Sequence, residues 1–349
     1  MKTADALAIL SGQRRDPLAR LLRLALVAPA AGYGLAMRAR RWGYRRGWLP
    51  ARRASLPVIC VGNLTTGGTG KTPMVRWVLQ RLIEAGRTPA VLTRGYAAGA
   101  AGSDEARWLA GSGAAVVVNA DRAAGAEQAR RRGADVAVMD DGFQHLRLGR
   151  DLDIVLVDAT CPFGYGWPLP RGLLREPPAA LADAGAVVLT RSDAVAPARR
   201  EELTERLARL ARGATLAWAE HAPLAAIGPD GQRLGPEALA GRSMGAFCGL
   251  GNPRAFFATL RGLGVDLAGE LALDDHAAYG PADLEAVAEL GGSALVTTEK
   301  DHLKLPPGRL GGREVWQLAV GIEITRGREQ LLGLVDEAVG QAPAEPAGR

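Results

Sequence analysis

Hydrophobic positions fall into short, almost uninterrupted runs separated by longer stretches with helical spacing. Leu56–Val61, Pro89–Thr93, Val136–Met139, Asp153–Asp158 and Ala186–Thr190 are apolar inside and rich in β-branched residues. Runs of that length, apolar throughout rather than alternating, predict strands buried on both faces, as in a parallel sheet covered by helices. From Thr215 the pattern restarts. Met244–Cys248, Val265–Leu271, Ala294–Thr298 and Val315–Val320 read as strands, and Pro253–Leu263 and Pro281–Leu290 as helices. The chain is therefore expected to be α/β, with a larger parallel-sheet domain and a second, smaller α/β domain.

Composition changes this picture little. A length of 349 residues, 48% hydrophobic and 23% charged, suffices for two ordinary domains and excludes a mainly disordered chain. Cys60, Cys161 and Cys248 are widely spaced and odd in number. They form neither a disulfide framework nor a C-x-x-C pair, as expected in a reducing compartment.

Charge matters by its position. Residues 1–60 hold twelve Lys/Arg against Asp5 and Asp16, a net +10, so the remainder carries −4 of the chain's total of +6. A body-wide nucleic-acid surface does not fit that balance, and no nucleic-acid partner is expected. Within the basic arm, the fourteen uncharged residues between Arg23 and Arg38 are fewer than the ~20 needed to cross a bilayer. Arg20, Arg23 and the arginines from Arg38 to Arg46 flank that stretch, with Trp42, Tyr44 and Trp48 interleaved. Arginines attract anionic headgroups and indoles favour the interface, so this segment is expected to contact an anionic membrane surface. The competing reading is a helix docked on the protein's own body.

The most specific signal follows the first strand: Gly62-Asn63-Leu64-Thr65-Thr66-Gly67-Gly68-Thr69-Gly70-Lys71-Thr72, then a helical pattern through Ala85. Strand, glycine loop, Lys-Thr and helix together make a P-loop. Residues 65–72 are the expected nucleotide cradle: Thr65, Thr66, Gly67, Gly68, Thr69, Gly70, Lys71 and Thr72. Glycines let backbone N–H groups turn toward phosphate oxygens. Lys71 is expected to reach the β- and γ-phosphates of the nucleotide, and the Thr72 hydroxyl to ligate Mg²⁺. The chain has 39 arginines and four lysines, yet a lysine stands here; a compact ammonium fits between phosphates where a planar guanidinium does not. Thr65 occupies the slot where the motif usually starts with glycine. The adjacent glycines also resemble the loop of membrane-cycling ParA/MinD-like switch ATPases, although those carry lysine where Thr66 stands.

Carboxylates gather at later strand ends. Val136–Met139 runs into Asp140-Asp141-Gly142-Phe143-Gln144-His145, where a Walker-B carboxylate would hold Mg²⁺. Asp140 and Asp141 point opposite ways in an extended chain, so one could bind metal while the other orients the loop. Asp104 either follows an N-capping Ser103 or serves as base for a substrate hydroxyl. Residues 163–177 form a long loop in which Trp167 and other apolar groups accompany Arg171 and Arg175. That mixture suits a substrate with acyl chains and phosphate. In the smaller domain, His276 stands beside Asp274 and Asp275.

Taken together, these motifs resemble the tetraacyldisaccharide 4'-kinase (lipid A 4'-kinase) family. The segments that carry the resemblance are Gly62–Pro73, Thr93–Tyr96, Asp104-Glu105, Asp140–His145, Leu169–Pro177, Asp275-His276 and Thr298–Asp301. Ala106 and Ser103 depart from it, where the family usually has proline and glycine. The resemblance implies a P-loop NTPase-like parallel-sheet domain over 55–213 and a smaller α/β domain over 214–327 that closes a cleft. Residues 1–54 would be a membrane-associating segment with a helix, and 328–349 a C-terminal helix and loose tail. It also implies transfer of the ATP γ-phosphoryl to the 4'-hydroxyl of a tetraacylated glucosamine disaccharide 1-phosphate, at the cytoplasmic face of the bacterial inner membrane. Asp104 would then be the base, supported by His276. Gln144 and Glu176 would complete the nucleotide environment, and Arg94, Arg171 and Arg175 would meet the lipid's anionic part.

Overall fold

The first strand, β1 (Val58–Asn63), is buried at every position, as its unbroken apolar run requires. A computed structural model of the chain describes residues 3–94, 113–250, 253–273, 279–306 and 308–340. The described chain forms two compact units. The larger comprises residues up to 220 together with the returning segment from Ile322, and the smaller spans His221–Gly321. Asp104 and His276 lie outside the described residues, as do Glu105, Asp274 and Asp275.

In the larger unit, β1 lies between β4 (Val136–Asp140) and β5 (Leu152–Asp158), both parallel to it. Beyond β4 come β2 (Pro89–Thr93) and β3 (Ala115–Val118), and beyond β5 comes β6 (Ala186–Thr190). Successive side chains point to opposite faces. Ile59 and Val61 therefore join one apolar cluster with Met74, Val78 and Leu82 of helix α4 (Lys71–Glu84). Val58 and Cys60 join the other, with Ala126 and Ala129 of α5 (Arg122–Arg131) and Leu203 and Leu207 of α6 (Pro197–Leu210). Helices on both faces explain why the strands read as continuous rather than alternating.

Three helices precede this core: α1 (Thr3–Ser11), α2 (Pro17–Ala25) and α3 (Val27–Arg45). The helical stretch Pro17–Arg45 is 29 residues, much longer than the fourteen-residue uncharged run, and is apolar and long enough to cross a membrane by length and composition. This segment clusters with the larger unit rather than apart from it. After β7 (Thr215–Ile227) and β8 (Arg233–Leu234), the smaller unit orders its parallel strands as β10 (Asp266–Ala272), β9 (Ser243–Cys248), β11 (Ala294–Thr298) and β12 (Val315–Arg326). Helices α7 (Pro253–Gly262), α8 (Pro281–Ala288) and α9 (Glu299–His302) accompany them. The final helix, α10 (Arg328–Gly340), packs on α4 in the larger unit, where Arg81 Nη2 meets Asp336 Oδ2 at 2.5 Å.

Candidate active site

The loop between β1 and α4 is built from backbone that only glycine adopts easily. Gly67 and Gly70 have φ of 114° and 86°. A Cβ added at Gly67 or Gly68 would meet nothing within 4 Å, so open space lies above the loop. No side chain caps the N-terminus of α4, which leaves first-turn N–H groups available to an anion. Two consecutive residues brace the loop from β6. Thr190 Oγ1 donates to Thr69 O at 3.0 Å, and Arg191 Nη2 to Gly68 O at 3.0 Å. Arg191 is itself held by Asp158 Oδ2 at 2.5 Å. From β1, Asn63 Nδ2 donates to Thr69 Oγ1 at 2.8 Å, while Asn63 Oδ1 is buried with no hydrogen-bond partner among the described residues.

The first half of the loop is pinned by the apolar loop that follows β5. Thr66 N donates to Leu173 O at 2.8 Å and Arg175 N to Leu64 O at 2.7 Å, with Thr65 bridging to Leu174. Arg175 is thereby placed beside Asp141, whose two oxygens accept from its Nη1 at 2.8 and 2.9 Å. Lys71 Nζ lies 3.7 Å from the same Asp141 Oδ1. Asp141 sits at φ 52°, a left-handed conformation that aspartate tolerates better than most residues. Gly142 follows because a Cβ there would come within 2.5 Å of Met139 Sδ.

The two aspartates divide because β4 ends at Asp140 and the left-handed backbone at Asp141 turns that side chain away from it. Asp141 is partly exposed and faces the two cations, whereas Asp140, at the end of β4, is buried. The Asp140 charge acts on Arg122, a buried arginine whose pKa burial nevertheless lowers. His145 is also lowered, by burial first and then by Arg122, Arg147 and Arg150, so its imidazole is neutral at physiological pH.

Other expected residues take different parts. Gln144 Nε2 donates to Asn63 O at 2.8 Å, tying this segment to β1. Glu176 is paired within the chain. Both its oxygens are taken by Arg41 of α3, Nε at 3.2 Å and Nη2 at 2.5 Å, and it is 1% exposed. A buried carboxylate needs such a partner. Burial works against the Arg41 charge, but Glu176 and Asp183 outweigh it and raise its pKa. Arg171 donates to Leu10 O at 3.1 Å and stacks over Trp167, bracing the N-terminal helices. Arg94 is exposed just after β2.

The apolar loop also makes a groove against α3 of about 320 Å³. Its walls are Ala30, Gly34 and Leu35 on one side and Trp167, Pro168 and Pro177 on the other, with Arg38 also lining it. Sequence reasoning passed over Thr190, Arg191, Asp158, Arg122 and Arg41. Asp158 and Thr190 carried a readable signal, each being polar at the C-terminal end of an apolar strand. Arg41 carried none.

The residues present suit ATP and Mg²⁺. Open glycine backbone, a lysine and an uncapped helix N-terminus fit a polyphosphate. Among the described residues no group of three or more His, Cys, Asp or Glu could hold a metal. Mg²⁺ needs none, because it binds through one or two protein oxygens plus phosphates, and Thr72 with the aspartate pair offers those.

Comparison with known proteins gives the chain's family. A family model described as tetraacyldisaccharide-1-P 4'-kinase matches residues 22–339. A tetraacyldisaccharide 4'-kinase of Geobacter metallireducens is 42% identical over 325 residues, covering 84% of this chain and 92% of its own. One from Anaeromyxobacter dehalogenans strain 2CP-C is 40% identical over 346 residues, covering 91% of each. Among solved structures, LpxK from Aquifex aeolicus in complex with ATP superposes with a TM-score of 0.72 at 26% identity, over 91% of this chain and 99% of its own. With a family model spanning nearly its whole length and relatives at these identities, the chain belongs to the tetraacyldisaccharide-1-phosphate 4'-kinase family.

Proposed function

We infer that this protein is an ATP-dependent lipid kinase that transfers the γ-phosphoryl group to the 4'-hydroxyl of a tetraacylated glucosamine disaccharide 1-phosphate, in lipid A biosynthesis. The observation that carries the reading is the P-loop whose Lys71 stands 3.7 Å from Asp141, in a chain that matches this family's model over residues 22–339. The switch-ATPase reading has no comparable support.

The chain's own residues supply position and charge, which is most of what phosphoryl transfer asks. Loop N–H groups and Lys71 hold the phosphates. Until phosphate is bound, Asp141, itself gripped by Arg175, holds Lys71 in place. Bound Mg²⁺ would neutralise phosphate charge, with Thr72 and one of Asp140 and Asp141 as its protein oxygens. Asp104 is the base that takes the hydroxyl proton, and His276 of the smaller unit supports it. Arg94, Arg171 and Arg175 would meet the lipid's anionic part.

The groove between α3 and Trp167 is apolar enough for an acyl chain, and the exposed Leu35 (67%) and Trp42 (45%) of α3 suit a membrane surface. On this reading the enzyme works at the cytoplasmic face of the bacterial inner membrane. Incubation with γ-labelled ATP and the tetraacyl disaccharide 1-phosphate tests the reading. Label in the lipid is expected; label in free phosphate alone would favour a switch ATPase.

A further inference from the structure

Helix α3 turns a polar edge, not only an apolar one, toward the larger unit. Ala30, Gly34 and Arg41 are buried on its inner side at helical spacing, with Tyr33 and Arg40 half-buried beside them. Three of these side chains reach the two segments that flank Asp141 and Arg175. Tyr33 Oη donates to Arg175 O at 3.0 Å, and Arg40 Nη1 to Gln144 O at 3.1 Å. Arg41 Nη2 donates to Phe143 O at 3.2 Å and to Glu176 Oε2, while its Nη1 donates to Asp183 Oδ2 at 2.7 Å. The guanidinium also lies over the Phe143 ring, 4.4 Å from its centroid.

Arg41 therefore joins two short routes to one carboxylate. Phe143 stands two residues after Asp141, and Glu176 directly follows Arg175, which grips both Asp141 oxygens. We propose that Arg41 is a positioning residue for phosphoryl transfer. By locking the Phe143 carbonyl to the Glu176 carboxylate it sets Asp141, and through Asp141 it sets Lys71. The N-terminal helix is then part of the catalytic assembly and not only an anchor.

Energetics favour geometry over stability as the reason for this pair. Arg41 and Glu176 are 5% and 1% exposed, and removing both charges from water offsets much of their attraction. A rigid, planar fork can serve Glu176, Asp183 and a carbonyl together, which a lysine ammonium on a flexible stem cannot.

The inference rests on the lipid-kinase reading, so lipid labelling by the unaltered chain is measured first. Three variants follow: Arg41→Lys, which keeps the charge; the matched apolar pair Arg41→Met with Glu176→Leu, which leaves no buried charge unpaired; and Arg45→Gln as control. Arg45 shares Asp183 with Arg41, at 2.6 Å, but is not among the groups holding Glu176 or Phe143 O. For the first two, kcat is expected to fall about 10–100-fold, the usual cost of an outer supporting partner, with the KM for ATP within about twofold. Arg41→Lys should lose less than the apolar pair, and Arg45→Gln should match wild type. Near-wild-type kcat in Arg41→Lys and in the folded apolar pair would overturn the inference, as would equal losses in kcat and ATP affinity or an equal loss in Arg45→Gln. Absence of labelled lipid with the unaltered chain would instead defeat the kinase reading.

Discussion

Lys71 Nζ and Asp141 Oδ1 face each other at 3.7 Å, although 70 positions of chain separate them. The same carboxylate is gripped by Arg175, so one anion organises two cations at the mouth of the phosphate loop. Removing its charge removes repulsion toward a triphosphate and also loosens both cations. Asp141→Asn is expected to bind ATP as tightly as wild type or more tightly, while kcat falls at least about tenfold. Isothermal titration alongside turnover checks this, and a drop in affinity as large as the drop in kcat would contradict it.

The brace on the loop carbonyls makes a different claim. Thr190 and Arg191 hold Thr69 O and Gly68 O from outside, which keeps the neighbouring N–H groups turned toward the phosphates. Each hydrogen bond contributes about 0.5–1.5 kcal/mol. Thr190→Val and Arg191→Gln should each raise the KM for ATP about three- to tenfold and leave the KM for lipid unaltered. Unchanged ATP affinity in both would show that the loop keeps its shape without them.

Asp104 carries the chemical step in the proposed mechanism. Asp104→Ala should lower kcat by roughly 10²–10⁴-fold, the typical contribution of a general base, with nucleotide affinity retained. Equal losses in turnover and ATP binding would assign it a structural part.

Close backbone approach, rather than chemistry, explains Gly62. A Cβ there would lie 2.6 Å from Phe143 Cβ and 2.8 Å from its backbone nitrogen, with neither a flexible side-chain end. Gly62→Ala should cost about 1–3 kcal/mol of stability, read as a lower midpoint in urea. An unaltered midpoint would show that the turn after β4 can shift freely.

In the smaller unit, Asp301 accepts from Gly249 N at 3.0 Å, Thr298 Oγ1 at 2.8 Å and Lys304 Nζ at 3.2 Å. Burial alone would raise its pKa, but these donors outweigh burial and hold it below the usual carboxylate range. A folded-state pKa below the unfolded one means the stabilisation is complete above the ordinary carboxylate pKa. It is lost as pH falls through the folded value. Asp301→Asn should therefore be less stable than wild type at pH 7, with the difference shrinking toward pH 3. Parallel pH dependence of the two proteins in urea would contradict this.

Strand positions were legible because an apolar run buried on both faces needs no knowledge of its neighbours. Pro89–Thr93, Ala186–Thr190 and Ala294–Thr298 run as expected, and β1 is shifted by only two residues. The edge strand β3, only four residues long and with Ala115 and Val118 exposed, was missed. So were α5 and α6, the first dominated by small and charged residues. Val315–Val320 was too short because β12 continues to Arg326 with alternating burial, a pattern the search for unbroken runs does not reward.

What the order of residues determined alone is whatever depends on local spacing. The phosphate loop, the paired aspartates at a strand end, the basic arm and the family they mark are all of this kind, since backbone geometry converts short patterns directly into shape. Folding decided which charge meets which. Glu176 turns to Arg41 across 135 positions, Arg191 holds the loop carbonyl at Gly68, and Asp141 rather than Asp140 faces Lys71. A charge takes the partner that burial places within reach, and that choice exists only once distant segments have packed together.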